Sequence, residues 1–370
     1  MPLLVTHRVG ARALAEVGAA FDGLADQERL PVTARRLWLQ SWIDAYPDWQ
    51  PWLVLVEGGD ELLAAAPLAR RRRKGLLEVA LVGDGPTDDA RLPARTEAAA
   101  EKLAEGIVTG LPRRGPWRLR LSQVPPGDPV VGALMARLPH ASARAVEGMP
   151  LVEISEGAVP DQYLSRNAKK SLAKVRNRIR DRGLEVDVRW TTDADHIVDL
   201  LPDLMRVHRE RDVALGRRPD HDDPRAATFY REVLTRHARA GQVDLLTLCL
   251  DGDLAAFVAG FRDGRTLRSW DNRLSPRWAD VSAGRLANSE ALRHVVTSSA
   301  YDALDWMRGE EPYKLQTATR VVPSGEVRAW SSRTVRWGED MVDLARDSAR
   351  AAMQRSTWLR SAVQRARTAR

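Results

Sequence analysis

Asp305-Trp306-Met307-Arg308-Gly309-Glu310-Glu311-Pro312-Tyr313-Lys314 closes a run of strand, hairpin, loop and helix signals that the first half of the chain also shows. Ahead of it, Val243 to Leu250, the turn Asp251-Gly252-Asp253 and Leu254 to Phe261 predict a β-hairpin. A strand over Thr266 to Trp270, a loop over Asp271 to Ala283, a helix from Gly284 to about Ser299 and a strand over Ala303 to Met307 follow. The first half has the same plan. Trp52 to Val56, the turn Glu57-Gly58-Gly59-Asp60 and Leu62 to Leu68 predict a hairpin, because consecutive glycines supply the positive φ such a turn needs. After it come a strand over Leu76 to Val82, the loop Gly83 to Asp89, a helix around Thr96 to Val108 and a strand over Trp117 to Leu121. Matching the hairpins offsets the halves by roughly 190 residues, which fits two copies of one domain of ~150 residues better than a short solenoid period.

The 370 residues, 44% of them hydrophobic, are enough to build two cores. No run of eighteen or more apolar residues exists, and Met1 to Gly10 lacks the charged and apolar regions of a leader, so a soluble cytoplasmic protein is expected. The single cysteine, Cys249, lies in an apolar run and reads as a small core residue. Trp38 and Trp42, four apart on a helical pattern, read as core too. The sequence has no Gly-x-Ser-x-Gly elbow, no P-loop and no His-Glu-x-x-His or paired-Cys metal spacing, and the seven histidines are scattered. No metal or bound cofactor is expected.

The net charge of +7 comes mainly from arginine, and its distribution says more than its sum. Basic residues collect at Arg70 to Lys74, in the segment Arg166 to Arg182, and in the tail from Arg346 to Arg370. Within Tyr163 to Gly183, Leu164, Ala168, Leu172, Val175 and Ile179 make a narrow apolar stripe on a predicted helix. The rest of that helix carries Arg166, Lys169, Lys170, Lys174, Arg176, Arg178, Arg180 and Arg182 against Asp181. Like charges at helical spacing repel unless an anion covers them. The face is therefore either a polyanion site or a solvated surface.

With these residues laid out, the chain resembles the FemAB-like branch of the GNAT acyltransferase superfamily, the group that includes CelD-type (BioF2-like) acetyltransferases. The likeness is carried by Trp38 to Ala66, the loop Gly83 to Leu92, the basic helix Ser165 to Gly183 and the run Gly241 to Lys314. It implies an α+β fold of tandem GNAT-like domains, each a mixed, mostly antiparallel sheet flanked by helices. The expected division is an N-terminal GNAT-like domain over 1–150, a C-terminal catalytic one over 151–340 that includes the basic helix 163–183, and a basic helical tail over 341–370. One departure stands out. Where single-domain acetyl-CoA enzymes carry Gln/Arg-x-x-Gly-x-Gly/Ala, this chain has Asp280-Val281-Ser282-Ala283-Gly284-Arg285-Leu286, with one glycine and one flanking arginine.

The resemblance implies amide formation by acyl transfer, which needs a neutral amine, a partner for the tetrahedral oxyanion and help for the leaving group, but no covalent nucleophile. Lys314 is the candidate for the oxyanion or a ribose oxygen, Tyr313 for the leaving group, and Asp305 or Glu310 for the amine proton. Asp271 competes for that last role, and an arginine partner is the structural alternative for Asp305. Asp84, Asp88 and Asp89 are placed to hold a cationic acceptor, Trp270 to wall the cleft, and His208 either to line it or to sit on a helix surface. Carrier contacts fall to Lys169, Lys170, Lys174, Arg176 and Arg178, with Gly284 and Arg285 at the pyrophosphate turn. The expected activity is an N-acyltransferase moving an acyl or aminoacyl group from an activated carrier to an amine of a small molecule or peptide. Aminoacyl-tRNA is the favoured donor, because the basic helix is strong and the pyrophosphate turn weak. The alternatives are an acyl-CoA-dependent acetyltransferase of polysaccharide or secondary metabolism and a non-catalytic nucleic-acid-binding protein.

Overall fold

In the computed structural model, which describes residues 2–342, 344, 345 and 348, twelve strands form one continuous sheet. The strands are β1 (Leu4–Val9), β2 (Gln50–Gly58), β3 (Glu61–Arg73), β4 (Leu76–Leu81), β5 (Trp117–Val124), β6 (Ala141–Glu153), β7 (Val186–Thr191), β8 (Val243–Leu250), β9 (Asp253–Asp263), β10 (Thr266–Leu274), β11 (Ala303–Asp305) and β12 (Arg320–Trp330). Their order across the sheet is β1-β2-β3-β4-β5-β12-β6-β11-β10-β9-β8-β7. Advancing each number by six returns the same order read backwards, so the two halves are related by a pseudo-two-fold axis through the β12–β6 pair. Only β4–β5 and β10–β11 are parallel. The sequence did not anticipate that the last strands trade places: β12 inserts between β5 and β6, and β6 between β12 and β11.

The helices are α1 (Ala13–Glu16), α2 (Gly18–Gln27), α3 (Arg36–Ala45), α4 (Glu97–Gly110), α5 (Pro129–Arg137), α6 (Arg166–Asp181), α7 (Ala194–Ala214), α8 (Pro224–Arg239), α9 (Ala283–Thr297) and α10 (Pro312–Leu315). The core shared by the halves gathers Phe21, Trp38 and Trp42 of α2 and α3 with Phe229 and Leu234 of α8 and Phe257 and Phe261 of β9. Burying a side chain of this size contributes about 2 kcal/mol or more, so this face holds the halves together. The opposite face carries two separate cores, one under α4 and α5 and one under α6 and α9. Leu172, Val175 and Ile179 of the basic helix are buried there, as the stripe predicts.

The tandem α+β class, mixed and mostly antiparallel, is borne out, with several local differences. β10 runs on to Leu274 rather than ending at Trp270, because the long strand β9 offers it a partner past a bulge between Ser269 and Asp271. Asp271 thus lies in a strand and not at a loop mouth. β11 stops at Asp305, two residues early, where Met307 takes φ +58°. Tyr313 and Lys314 sit on the short helix α10 and not at a strand end. Arg70 to Lys74 forms the end of β3 and its turn. Most of the basic tail 341–370 lies outside the described residues. Among the described residues no helix is long and apolar enough to cross a membrane.

Candidate functional site

Two parallel strands stay paired only while their backbones remain in register, and here the pairing of β10 with β11 ends at Arg268 and Asp305. Beyond that point the bulge turns β10 one way, leaving Trp270 outside the ladder with β9, and the left-handed Met307 turns the other strand away. A cavity of about 790 Å³ opens between them. Trp270, Asn272 and Arg273 line it from β10, Trp306 to Gly309 from the turn after β11, and Tyr313 and Lys314 from α10. Asp88 enters from the first half, and Leu164, Ala168 and Leu172 come from the apolar side of the basic segment.

The start of α9 forms another wall through Ser282, Gly284 and Arg285. Ser282 adopts φ +63° and makes no side-chain cap to the helix; in the first turn the Arg285 N–H donates to the Ser282 carbonyl at 3.0 Å. Gly284 allows this approach. A Cβ there would stand 2.8 Å from Cδ2 and 3.2 Å from Cβ of Leu274. A 15-residue helix beginning without a side-chain cap presents a partial positive charge suited to a phosphate.

Lys314 is 6% exposed, and its Nζ donates to the Arg308 carbonyl at 2.5 Å and meets Glu311 Oε2 at 3.1 Å. The Tyr313 hydroxyl accepts from Asn272 Nδ2 at 2.9 Å, with Oδ1 of the same amide at 3.2 Å. Burial pushes the Tyr313 hydroxyl up to about 12, so it stays a proton donor at neutral pH. Asp88 is 7% exposed, and burial pushes its carboxyl up to about 6 against the opposing charges of Arg308 and Lys314. Its Oδ1 lies 3.2 Å from Arg308 Nε. A carboxylate that titrates so near neutrality can hold and release a proton under ordinary conditions.

The cavity therefore brings together Lys314, Tyr313, Asp88, Trp270, Gly284 and Arg285 among the residues singled out in the sequence. The remaining candidates lie elsewhere. Asp305 is buried, donates nothing to the cavity lining, and accepts from Arg268 Nη1 at 2.6 Å and the Met307 N–H at 2.8 Å, while burial raises its pKa. Glu310 caps the Gly148 N–H at 3.0 Å. Asp89 pairs with Arg91 at 2.8 Å and Arg268 at 3.4 Å, which ties the halves together. Asp84 pairs with Arg120 beside a smaller cavity of about 250 Å³. Asp271 accepts from the Tyr230 hydroxyl at 3.0 Å and forms an ion pair with Arg273 at 3.1 Å; burial would raise its pKa, but the charges of Arg273 and His208 and the tyrosine bond bring it below the usual carboxylate value. His208 is buried at 5% exposure, one layer behind Arg273 and Asp212, so it is neither a surface residue nor a wall.

On α6, Lys169, Lys170, Lys174, Arg176 and Arg178 are exposed beside the cavity mouth without lining it. Lys169 meets Asp161 at 3.6 Å, Arg176 meets Glu290 at 4.0 Å, and Arg178 donates to the Asp280 carbonyl at 3.1 Å. Sequence reasoning missed Arg308, Glu311, Asn272 and Arg273. The quoted stretch contains the first two, and only the strand extension past Trp270 makes the others visible.

Residues 166–315 match the family model described as an acetyltransferase (GNAT) domain. No curated protein matches the sequence. Among solved structures the chain is similar to FemX, at 8% identity and a TM-score of 0.57 over 89% of this chain and 97% of that one. It is also similar to the C-terminal domain of a putative lysylphosphatidylglycerol synthetase from Agrobacterium fabrum, at 12% identity and a TM-score of 0.51 over 85% and 92%. A conserved protein of unknown function from Bacteroides thetaiotaomicron shares the fold at 13% identity and a TM-score of 0.50 over 84% and 97%. The matched segment, 166–315, is a GNAT-type acetyltransferase domain that contains the cavity's strands, the start of α9 and Lys314, and the whole chain shares its fold with these structures.

Proposed function

We propose that the protein forms an amide by moving an aminoacyl or acyl group from an anionic carrier to an amine, in the cavity between β10 and β11. The observation that carries this reading is the meeting of Asp88, Tyr313 and Lys314 in one cavity with the uncapped start of α9. The amine nitrogen attacks the carbonyl carbon, and Asp88 takes the proton lost as the C–N bond forms. Lys314 Nζ offsets the negative charge on the tetrahedral oxygen. As the carrier bond breaks, Tyr313 gives its proton to the leaving atom and regains one from water. Asp305 serves as the buried partner of Arg268 in this scheme, and Asp84 and Asp89 hold the first half in place around Asp88. The second half, 151–340, supplies the chemistry, and the first, 1–150, supplies the proton acceptor.

Aminoacyl-tRNA is the donor we favour, because the exposed basic face of α6 borders the cavity mouth and suits a long polyanion. The fold shared with FemX fits the same reading. A cytoplasmic setting goes with it. A second reading, acyl-CoA as donor, draws on the α9 start, where Gly284 and Arg285 suit a pyrophosphate. Incubating the protein with charged total tRNA or with an acyl-CoA panel, each with a cell extract, and detecting new amides by mass separates the two. Product from charged tRNA alone supports the favoured donor; product from acyl-CoA alone replaces it, and product from neither overturns the reading.

A further inference from the structure

On the α7 side of the acyl cavity, where Asp212 forms part of the wall, the segment after α7 folds back so that His208, Asp212 and Asp220 present one side-chain ligand atom each, all within 4.8 Å of one another. His208 and Asp212 are one helical turn apart on α7 and so project from the same face. Both are more than nine-tenths buried, at 5% and 6% exposure. Their facing atoms are 3.2 Å apart, yet the geometry aligns no hydrogen bond, and both His208 Nδ1 and Asp212 Oδ2 are buried without a partner. Two such orphaned atoms cost about 1–3 kcal/mol each unless something satisfies them. A third, His221 Nδ1, is orphaned beside them on a ring whose centroid is 4.3 Å from that of His208.

The geometry points to a binding site for a divalent transition-metal ion of the zinc class, held by His208, Asp212 and Asp220. One imidazole and two carboxylates without thiolate form a set that zinc accepts, and three protein ligands leave a position for water. His208 Nδ1 and Asp212 Oδ2, 3.2 Å apart, already stand as bonds of about 2.0–2.2 Å require, and the exposed Asp220, on its short turn, is the one able to adjust. His221 Nδ1 then faces the bound water. The other ring nitrogen of His208 shows what binding would change. Arg273 Nη2 now donates to Nε2 at 2.9 Å, which leaves the ring proton on Nδ1. Metal on Nδ1 displaces that proton, so Nε2 must carry one and turn to Asp271 Oδ1, 3.9 Å away. Arg273 is thereby released into the acyl cavity it lines. The metal would set the position of a cavity arginine without touching the reacting atoms.

The test is calorimetric titration of chelator-treated, tag-free protein with Zn²⁺, together with visible spectra of the Co²⁺ form; neither readout depends on acyl transfer. The wild type is expected to bind one equivalent, Asp220→Asn at least tenfold more weakly, and His208→Gln none, with loss of the cobalt bands. Asp220 is exposed, so its variant keeps the result readable if His208→Gln does not fold. Exposed His196→Gln should match the wild type. Absence of wild-type binding, or unchanged affinity in both Asp220→Asn and His208→Gln, overturns the assignment.

Discussion

The openings at β4–β5 and β10–β11 occupy equivalent places in a duplicated sheet, yet the cavity at the first is about 250 Å³ and that at the second about 790 Å³. In the first half the pairing of β4 with β5 ends at Ala80 and Arg120, but the following loop folds back into the gap. The Ala90 N–H bonds to the Gln123 carbonyl at the end of β5, and Ala90 and Leu92 are buried in the core. Pro93 and Arg95 then bond to β3, and α4 begins at Thr96, whose side chain caps the Ala99 N–H at 3.1 Å. In the second half the corresponding connection runs clear of the gap, anchored by Trp278 Nε1 donating to Asp253 at 2.8 Å. Its helix starts uncapped at the cavity. One copy has satisfied its backbone and become scaffold. The other leaves its helix start without a side-chain cap at the cavity, and the scaffold copy lends it Asp88.

The comparison breaks most sharply at Lys314. Lys314→Met should lower kcat by about 10²–10³-fold with donor binding largely kept. Normal turnover by that variant would mean that the cavity is not where acyl transfer occurs. Asp88 tests what the scaffold copy contributes. Asp88→Asn should cost roughly 10²-fold and abolish the rise of kcat/KM with pH centred near 6 that the wild type should show.

The same residue makes a stability prediction of opposite sign. Its folded pKa, about 6, stands above the ordinary 3.8, so the folded state binds the proton more tightly and Asp88 destabilises the fold as pH rises through that window. The cost is on the order of 2–3 kcal/mol above pH 6. Asp88→Asn should therefore raise Tm at pH 8 and leave it nearly unchanged at pH 4; an equal loss of Tm at both would refute the buried-charge account.

Smaller effects separate the two helix starts. Gly284→Ala should weaken donor binding by about tenfold, because the added Cβ drives the α9 start away from Leu274. Thr96→Ala should leave donor binding alone and cost about 1 kcal/mol of stability as a lost cap. If both variants behave alike in donor titrations and melting, the distinction between an open and a closed helix start fails.

Much of this was legible because its signals are local. The paired glycines of the Glu57 to Asp60 turn, the alternation of apolar runs and the stripe on the basic helix follow from backbone conformations that neighbouring residues select, and they marked two hairpins and a tandem. The run through Lys314 placed a cavity lysine and tyrosine by likeness to a family. Other features depend on partners far along the chain. The strands β6 and β12 trade places because each finds its ladder in the opposite half. Asp305 and Asp89 face Arg268 and not a substrate, since a buried guanidinium must gather carboxylates wherever the fold brings them. Asp88 differs from Asp89 only in where its carboxyl points. By itself the sequence determined which segments become hairpins and helices, through turn chemistry and periodicity. Only the tertiary structure decided which of two like openings stays open and which acids reach it, because burial and charge pairing are set by residues distant in sequence.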